Sequence, residues 1–375
     1  MIPFKQYFYL NESARIQHAE DIIFWEGSRG ALRALGALTD LQQNYKNVSI
    51  KWDGSPAVIF GRNEKGEFVF TDKNGFTAKG YDGKSKSADE LKNMFLNRSG
   101  GKNRENESYV EFTERMGDAF NIIQKAMPKS FRGYVKGDML YFNTPPVFNK
   151  NYVFTPNIVR YAVSTNSDLG KRIGRSKVGI VVHRNVDDLG EETPLTSYDI
   201  LEGDTVLILP PVSMEQAPTI NIKEIGALRE VVTQFASKID SMLDADKLKE
   251  RQLADLSDIF YKYTNSKVDT GLETLGLDFT QWLETSNLTK PKKQNVLVYI
   301  NEHLDGFSAL WQIVNGIMRI KDNIISQFDK RSQVVSQSIE GVGSGGEGYV
   351  LADAGGDIKL VPREHFSKAN RAKVR

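Results

Sequence analysis

The hydrophobic period of this chain runs from two to about 3.6 and back to two, so sheet and helix must both build its core. Between residues 46 and 82 apolar and polar side chains alternate and β-branched residues are frequent. Turn signals stand at Asp53-Gly54-Ser55-Pro56 and Glu64-Lys65-Gly66. Strand-like runs return at Gly133–Phe142, Asn151–Phe154, Val159–Val163, Lys177–His183 and Thr205–Leu209, and Pro210-Pro211 close the block. From 222 to 335 the spacing is helical, as in Ile225, Leu228, Val232 and Ile239, or Phe307, Leu310, Val314 and Ile317. A glycine segment, Gly341-Val342-Gly343-Ser344-Gly345-Gly346, then precedes two short strand-like runs, Glu347–Leu351 and Asp357–Val361. The end of the chain therefore reads as the return of a sheet that the helices interrupt. The segments 12–45 and 87–127 also read as helical. The prediction is an α+β chain in four spans: N-terminal helices 1–45, a sheet core 46–221, a helical insertion 222–335, and final strands with a basic tail 336–375.

Composition narrows the function. With 40% hydrophobic and 26% charged residues in 375, the chain has an ordinary globular make-up, which excludes disordered and fibrous classes. Forty-nine basic residues against forty-eight acidic leave a net charge of +1, so the bulk charge demands neither nucleic acid nor membrane. The absence of cysteine removes disulfides, thiolate metal sites and thiol nucleophiles, and fits a reducing compartment. The opening MIPFKQYFYLNES lacks an apolar run of signal-peptide length, and no later stretch approaches a membrane span, so a cytoplasmic protein without a membrane partner is expected.

The four histidines, His18, His183, His303 and His365, have no metal-ligand spacing, and His18 beside Glu20 and Asp21 reads as part of a helix-start capping cluster. The segment Lys84–Arg104 carries six basic residues against two acidic, either a solvated loop or a track for a nucleic-acid backbone. The helical span holds 15 basic and 16 acidic residues, which argues against a whole-domain nucleic-acid clamp; it could bind a protein partner or stand in for a module that the core lacks.

In Asn47-Val48-Ser49-Ile50-Lys51-Trp52-Asp53 the alternation is unbroken: Val48, Ile50 and Trp52 share one face, and Ser49, Lys51 and Asp53 the other. Gly54 then lets a ligand or a second backbone come close. A lysine amine attacks phosphorus only when neutral, and at a reference pKa of about 10.4 only roughly 0.1% is neutral near pH 7.5. A nucleophilic Lys51 therefore needs burial or a neighbouring cation.

Lys51-Trp52-Asp53-Gly54 resembles the first motif of the covalent nucleotidyltransferases, the superfamily of ATP-dependent DNA ligases, RNA ligases and mRNA-capping guanylyltransferases. Others follow in that superfamily's order. Phe70-Thr71-Asp72-Lys73-Asn74-Gly75 resembles the second motif, Gly137-Asp138-Met139-Leu140-Tyr141 the third, and Glu347-Gly348-Tyr349-Val350 the fourth. Lys177–His183 falls where a further strand lines the base pocket, and Ile358-Lys359-Leu360 where the fifth motif belongs. Within the superfamily the chain is most similar to the RNA ligases of tailed phages. The run from His18-Ala19-Glu20-Asp21 through Lys51 to Asp138 is similar to an uncharacterised ligase-like family of large tailed phages.

The resemblance implies a nucleotidyltransferase core of antiparallel sheets and an ATP-dependent ligase, acting on RNA in preference to DNA, with Mg²⁺ and ATP as cofactors. Lys51 would take the nucleoside monophosphate; Asp53, Gly54, Arg62, Lys73, Asp138, Glu347 and Lys359 would bind the nucleotide; Asp138 and Glu347 would meet the metal. A phage-encoded protein would act in the host cytoplasm. Departures are visible. Asp138 replaces the usual glutamate, Val361 stands where a second lysine is usual, and Pro56 where DNA ligases carry an arginine, a place Arg62 is expected to fill. The residues after Val361 are too few for the β-barrel that DNA ligases append. Two rivals stay open: a phage interaction protein that binds nucleotide without sealing ends, and an adenylyl- or guanylyltransferase with another acceptor.

Overall fold

The structure, a computed structural model, describes residues 17–363 apart from 196, 270, 273–274, 332–333 and 340–342. The opening residues 1–16, the glycine segment at Gly341-Val342, His365 and the basic tail beyond Arg363 lie outside the described residues. Eleven α-helices and three sheets among the described residues make the chain α+β. It divides into two compact units, one of Met1–Lys51, Val212–Ser332 and Gly345–Arg375, the other of Trp52–Pro211 and Gln333–Ser344.

In the first unit a four-stranded sheet runs Gln17–His18, Ile358–Leu360, Tyr349–Leu351, Val48–Ile50. The outermost pair is parallel and the others antiparallel. Val48, Ile50, Tyr349, Leu351, Ile358 and Leu360 are all buried, which pins the register, because a slip of one residue would turn each to the opposite face. The helix Ile22–Asn44 buries Leu35, Leu38 and Leu41. It shares its core with the later helices: Phe24 meets the rings of Phe260 and Trp311 at 5.9 and 5.6 Å, and Ser257 donates to the Phe24 carbonyl. Asp240, on Ile222–Met242, accepts from both the amide and the hydroxyl of Ser28 at 2.7 Å.

Among the described residues six α-helices lie between 222 and 335, and the short Ala245–Glu250 and Phe279–Thr285 hold too few turns to show a period. Compactness draws its boundaries elsewhere than at the four expected spans. It joins the N-terminal helix, the later helices and the last strands around one core.

In the second unit a sheet of antiparallel strands runs Glu192–Pro194, Val178–Val186, Gly133–Tyr141, Ala57–Arg62, Phe68–Asp72, with Val206–Ile208 added in parallel beside Val178–Val186. Val58, Phe60, Phe68, Phe70, Val135 and Met139 point from it into a core shared with Met116, Phe120 and Ile123 of the helix Glu107–Ala126. A second sheet runs Gly343–Ser344, Val335–Ile339, Val159–Ser164, Asn151–Phe154, Val147–Phe148. The strand Val335–Ile339, placed by periodicity at the edge of the helical span, pairs there with Val159–Ser164.

Candidate functional site

Three motif residues meet on the first unit's sheet. Lys51 follows Val48–Ile50, and its amide donates to the Gly348 carbonyl at 3.0 Å. Tyr349–Leu351 lies between the other two strands, with Val350 opposite Ser49 on one side and Lys359 on the other. Ser49, Val350 and Lys359 therefore form a row on the face turned from the apolar core. Glu347 reaches Lys51, and Nζ and Oε1 form an ion pair. Gly348 permits this approach: at a φ of +117° a β-carbon would lie 2.3 Å from the Leu360 carbonyl oxygen. Burial pushes the Lys359 amine below its ordinary range, and the charge of Lys51 pushes the same way.

The row extends to His18, the backbone partner of Lys359 across the parallel pair. Beyond it lies a cluster of four buried charges. Lys321, fully buried on the helix Leu304–Arg331, donates to Glu20 at 2.8 Å; Arg363 approaches Glu20 at 3.1 Å and is ion-paired with Asp21. Burial alone would raise the Glu20 carboxyl, but Lys321 and Arg363 outweigh it and hold it below its usual range. Burial pushes Asp21 up to about 7 against the opposing charge of Arg363.

The capping reading of this stretch is therefore corrected. Asp21 makes no side-chain cap to the helix that follows, His18 lies in a strand, and both carboxylates serve buried cations. One sequence signal was available. Lys321, four residues after Ile317 and three before Ile324, sits on the buried stripe.

His18 is held well below its ordinary range, first by burial and then by the positive charges of Arg363, Lys321, Lys359 and Lys51. A folded-state value below the unfolded one means stability is lost as pH falls, because the unfolded imidazole gains a proton that the folded one refuses. Wild type is thus expected to lose stability relative to His18→Gln as pH drops through 6.5, with a constant difference above it. Asp21 acts oppositely, its contribution fading as pH rises toward about 7, but it is present in both proteins and leaves the comparison intact. Thermal melts from about pH 8 to about pH 5 check this. A difference that does not move with pH would show that His18 is not held neutral.

The other motif residues belong to the second unit, so the Lys-Trp-Asp-Gly run is divided between the two. Asp53 is a loop anchor. Its carboxylate accepts from Asn157 at 2.9 Å and from the amides of Ile158 and Val159 at 3.1 and 3.3 Å, and its own amide donates to the Tyr161 hydroxyl. Gly54 is where a close approach occurs: a β-carbon would lie 2.5 Å from that of Asp138. Arg62 does not fill the place of the missing arginine. Its guanidinium donates to the carbonyls of Pro128, Gly66, Met127 and Gln124, closing the end of the helix Glu107–Ala126. Lys73 is exposed at the first position of the four-residue helix Lys73–Phe76.

Asp72, beside it, takes two bonds of 2.6 Å from Arg98. Arg98 belongs to the basic run 84–104, most of whose charge is engaged within the protein. Lys84 donates to the Asp188 carbonyl and lies 4.4 Å from the Phe76 ring centre, Lys86 and Lys92 pair with Glu67 and Glu114, and Arg104 donates to Asn97. Asp138 has a partner the motif did not name: His183 Nε2 lies 2.9 Å from its Oδ2.

Among the described residues no three His, Asp or Glu side chains converge as a metal group, and no helix is long and apolar enough to cross a membrane. No curated protein and no solved structure matches the chain. The model of one family, described as a family of unknown function (DUF6267), matches residues 13–375, nearly the whole length. The chain therefore belongs to that family, DUF6267.

Proposed function

We propose that the protein is an ATP-dependent nucleotidyltransferase working through a covalent Lys51–nucleotide intermediate, and that it seals polynucleotide ends, RNA in preference to DNA. The observation that carries this reading is the convergence of Lys51, Glu347 and Lys359, brought from distant parts of the chain onto one strand and the ends of its two neighbours in the sheet. Two ammonium groups face one carboxylate there, an excess of positive charge that suits a polyphosphate. In the reaction the Lys51 nitrogen forms a bond to the α-phosphorus while the bond to the bridging oxygen breaks and pyrophosphate leaves. Glu347, already paired with the ammonium, is placed to take the proton that Lys51 must lose. Lys359 would balance charge on the phosphoryl oxygens.

Magnesium fits less directly. Glu347 is held by Lys51 and Asp138 by His183, so phosphates and water would have to supply most of its oxygen ligands, as is usual for this ion. When bound, it would neutralise phosphate charge. A second reading, a phage interaction protein that binds nucleotide without turnover, draws support from the apolar, buried Val361 in place of a second lysine. An adenylyl- or guanylyltransferase with a different acceptor would share the first step.

The test is incubation of the full chain with Mg²⁺ and α-phosphate-labelled ATP or GTP, followed by denaturation. Covalent label mapped to Lys51 by mass spectrometry is expected. A 5′-phosphorylated RNA or DNA strand added next should be joined to an acceptor end. No label would favour the binding protein, label on another lysine would remove Lys51 as the nucleophile, and label without joining would favour the other transferase.

A further inference from the structure

The five-stranded sheet of the second unit has one covered face and one open face. Val159, Tyr161, Val163, Val335 and Ile339 are buried on the first, where Tyr161 meets the Trp52 ring at 4.8 Å. The helix Asp168–Arg175 packs on that side too: a β-carbon at Gly174 would lie 2.2 Å from the Tyr152 hydroxyl, and Tyr152 is the ladder partner of Val163. Side chains alternate along each strand, so the residues between these share the opposite face. The register arranges that face in rows. Phe148 stands with Asn151 and Ser164, Ala162 with Ser336, and Arg160 with Ser338. Phe148 is 60% exposed, and Ser336 and Arg160 are exposed as well.

The chemistry of the open face is one-sided. Charged residues make up 26% of the chain, but these five strands hold no Asp or Glu and a single cation, Arg160. Among the described residues Arg160 makes no ion pair. Lys150 adds a second cation in the hairpin that joins Val147–Phe148 to Asn151–Phe154. Asn149 and Lys150 hold φ of 47° and 61° there, in a two-residue turn that favours glycine at its second position, and a lysine occupies it. From 143 to 177 six basic residues stand against one acidic, so the surroundings carry the same sign. A basic surface lined by hydroxyls and free of carboxylates suits a phosphate backbone, because Arg, Ser and Asn side chains all donate to phosphate oxygens. Phe148 lies about 13 Å along the strands and about 10 Å across them from Arg160. A nucleic-acid strand can therefore keep a phosphate at Arg160 and lay a base on the exposed ring. A duplex encloses the faces of its bases, and an acidic polypeptide has none to offer Phe148.

We propose that this open face is a docking surface for a single-stranded polynucleotide, with Arg160 and Lys150 on its phosphates and Phe148 stacked on a base. For the strand's role as substrate this rests on the reading above, which names the polymer without giving it a place. The surface itself lies wholly within the second unit.

The test is equilibrium binding of a fluorescent single-stranded RNA of about 12 nucleotides to the full chain over a salt series, with thermal melts to confirm that each variant folds. Affinity is expected to fall as salt rises. Arg160→Ala should weaken binding about tenfold at low salt and reduce the slope of log affinity against log salt by about 0.7, the share of one phosphate on a single strand. Phe148→Ala should also weaken binding about tenfold but leave that slope unchanged, while Phe148→Trp should keep the parent affinity. Lys65→Ala removes an exposed cation from the turn between Ala57–Arg62 and Phe68–Asp72, on the other sheet, and should bind as the parent does. No binding by the parent, parent affinity in both Arg160→Ala and Phe148→Ala, or a loss in Lys65→Ala equal to that in Arg160→Ala would each overturn the proposal. Competition by duplex RNA or by polyglutamate as strong as that of the unlabelled strand would overturn it too. A parent that joins labelled ends while both variants bind normally loses this surface alone. A parent that binds the strand through these residues but never labels Lys51 loses the ligase reading and keeps the surface.

Discussion

Lys359→Ala is expected to slow covalent transfer from ATP to Lys51 by about 10²–10³, the usual loss when one preorganised donor to a developing charge is removed. Lys359 is held in mid-strand between His18 and Val350, so its amine is positioned by two ladders and loses little freedom on meeting a phosphate. Its partial burial strengthens the interaction and is also what lowers its own proton affinity. Position 361, where the resemblance implies a second lysine, is Val361. Val361 is 5% exposed, and a lysine there would have to bury an amine among apolar neighbours, so Val361→Lys is expected to cost stability without restoring the rate. Single-turnover label incorporation, compared with thermal melts to confirm folding, measures both variants. Lys359→Ala labelling at the parent rate would remove the final strand from the nucleotide site.

The second large effect is on stability. Lys321→Met keeps a long apolar stem but deletes the cation that donates to Glu20, leaving that carboxylate buried with Arg363 as its remaining close cation. Breaking one side of a buried ion pair typically costs about 3–5 kcal/mol. In a unit of this size that amounts to a melting-temperature drop on the order of 10 °C. Adding Glu20→Gln to Lys321→Met should recover much of it, because the uncompensated charge is then gone. A single variant that melts within about 2 °C of wild type would show that water or Arg363 already satisfies Glu20. The cluster couples the helix Leu304–Arg331 to the first turn after Gln17–His18 and to Arg363 after the last strand. The melting experiment therefore also reports on how firmly the edge of the lysine-bearing sheet is held.

Much of this was legible locally. The alternation of Val48, Ile50 and Trp52 announced a strand with Ser49, Lys51 and Asp53 on its polar face; the strand is Val48–Ile50, and Lys51, Trp52 and Asp53 lie beyond its end. The two terminal runs became Tyr349–Leu351 and Ile358–Leu360 within two residues at each end. The stripe from Ile222 to Met242 became one helix. The functional reading of individual polar residues was less secure. Asp53 and Arg62 have the right types at the right spacing, yet most of their hydrogen bonds go to segments more than sixty residues away, Asp53 to Asn157, Ile158 and Val159 and Arg62 to Gln124, Met127 and Pro128. Residue type announces what a side chain can bond; only the packed chain determines which partner reaches it first.

By itself the sequence determined where strands and helices form, because period and turn chemistry depend on neighbours within a few residues. It also placed a lysine, a glutamate and a second lysine in or directly beside short strands far apart in the chain. Only the tertiary structure decided that Tyr349–Leu351 lies between Val48–Ile50 and Ile358–Leu360, so that Lys51 meets Glu347 across 296 positions. It likewise decided that Lys321 and Arg363 belong to the interior, and that an extra residue in Val178–Val186 turns His183 to Asp138. These are long-range outcomes. A backbone ladder accepts any side chain of suitable shape, so pairing is chosen by burying six apolar faces and matching four charges at once, a condition on the whole fold that no local window contains.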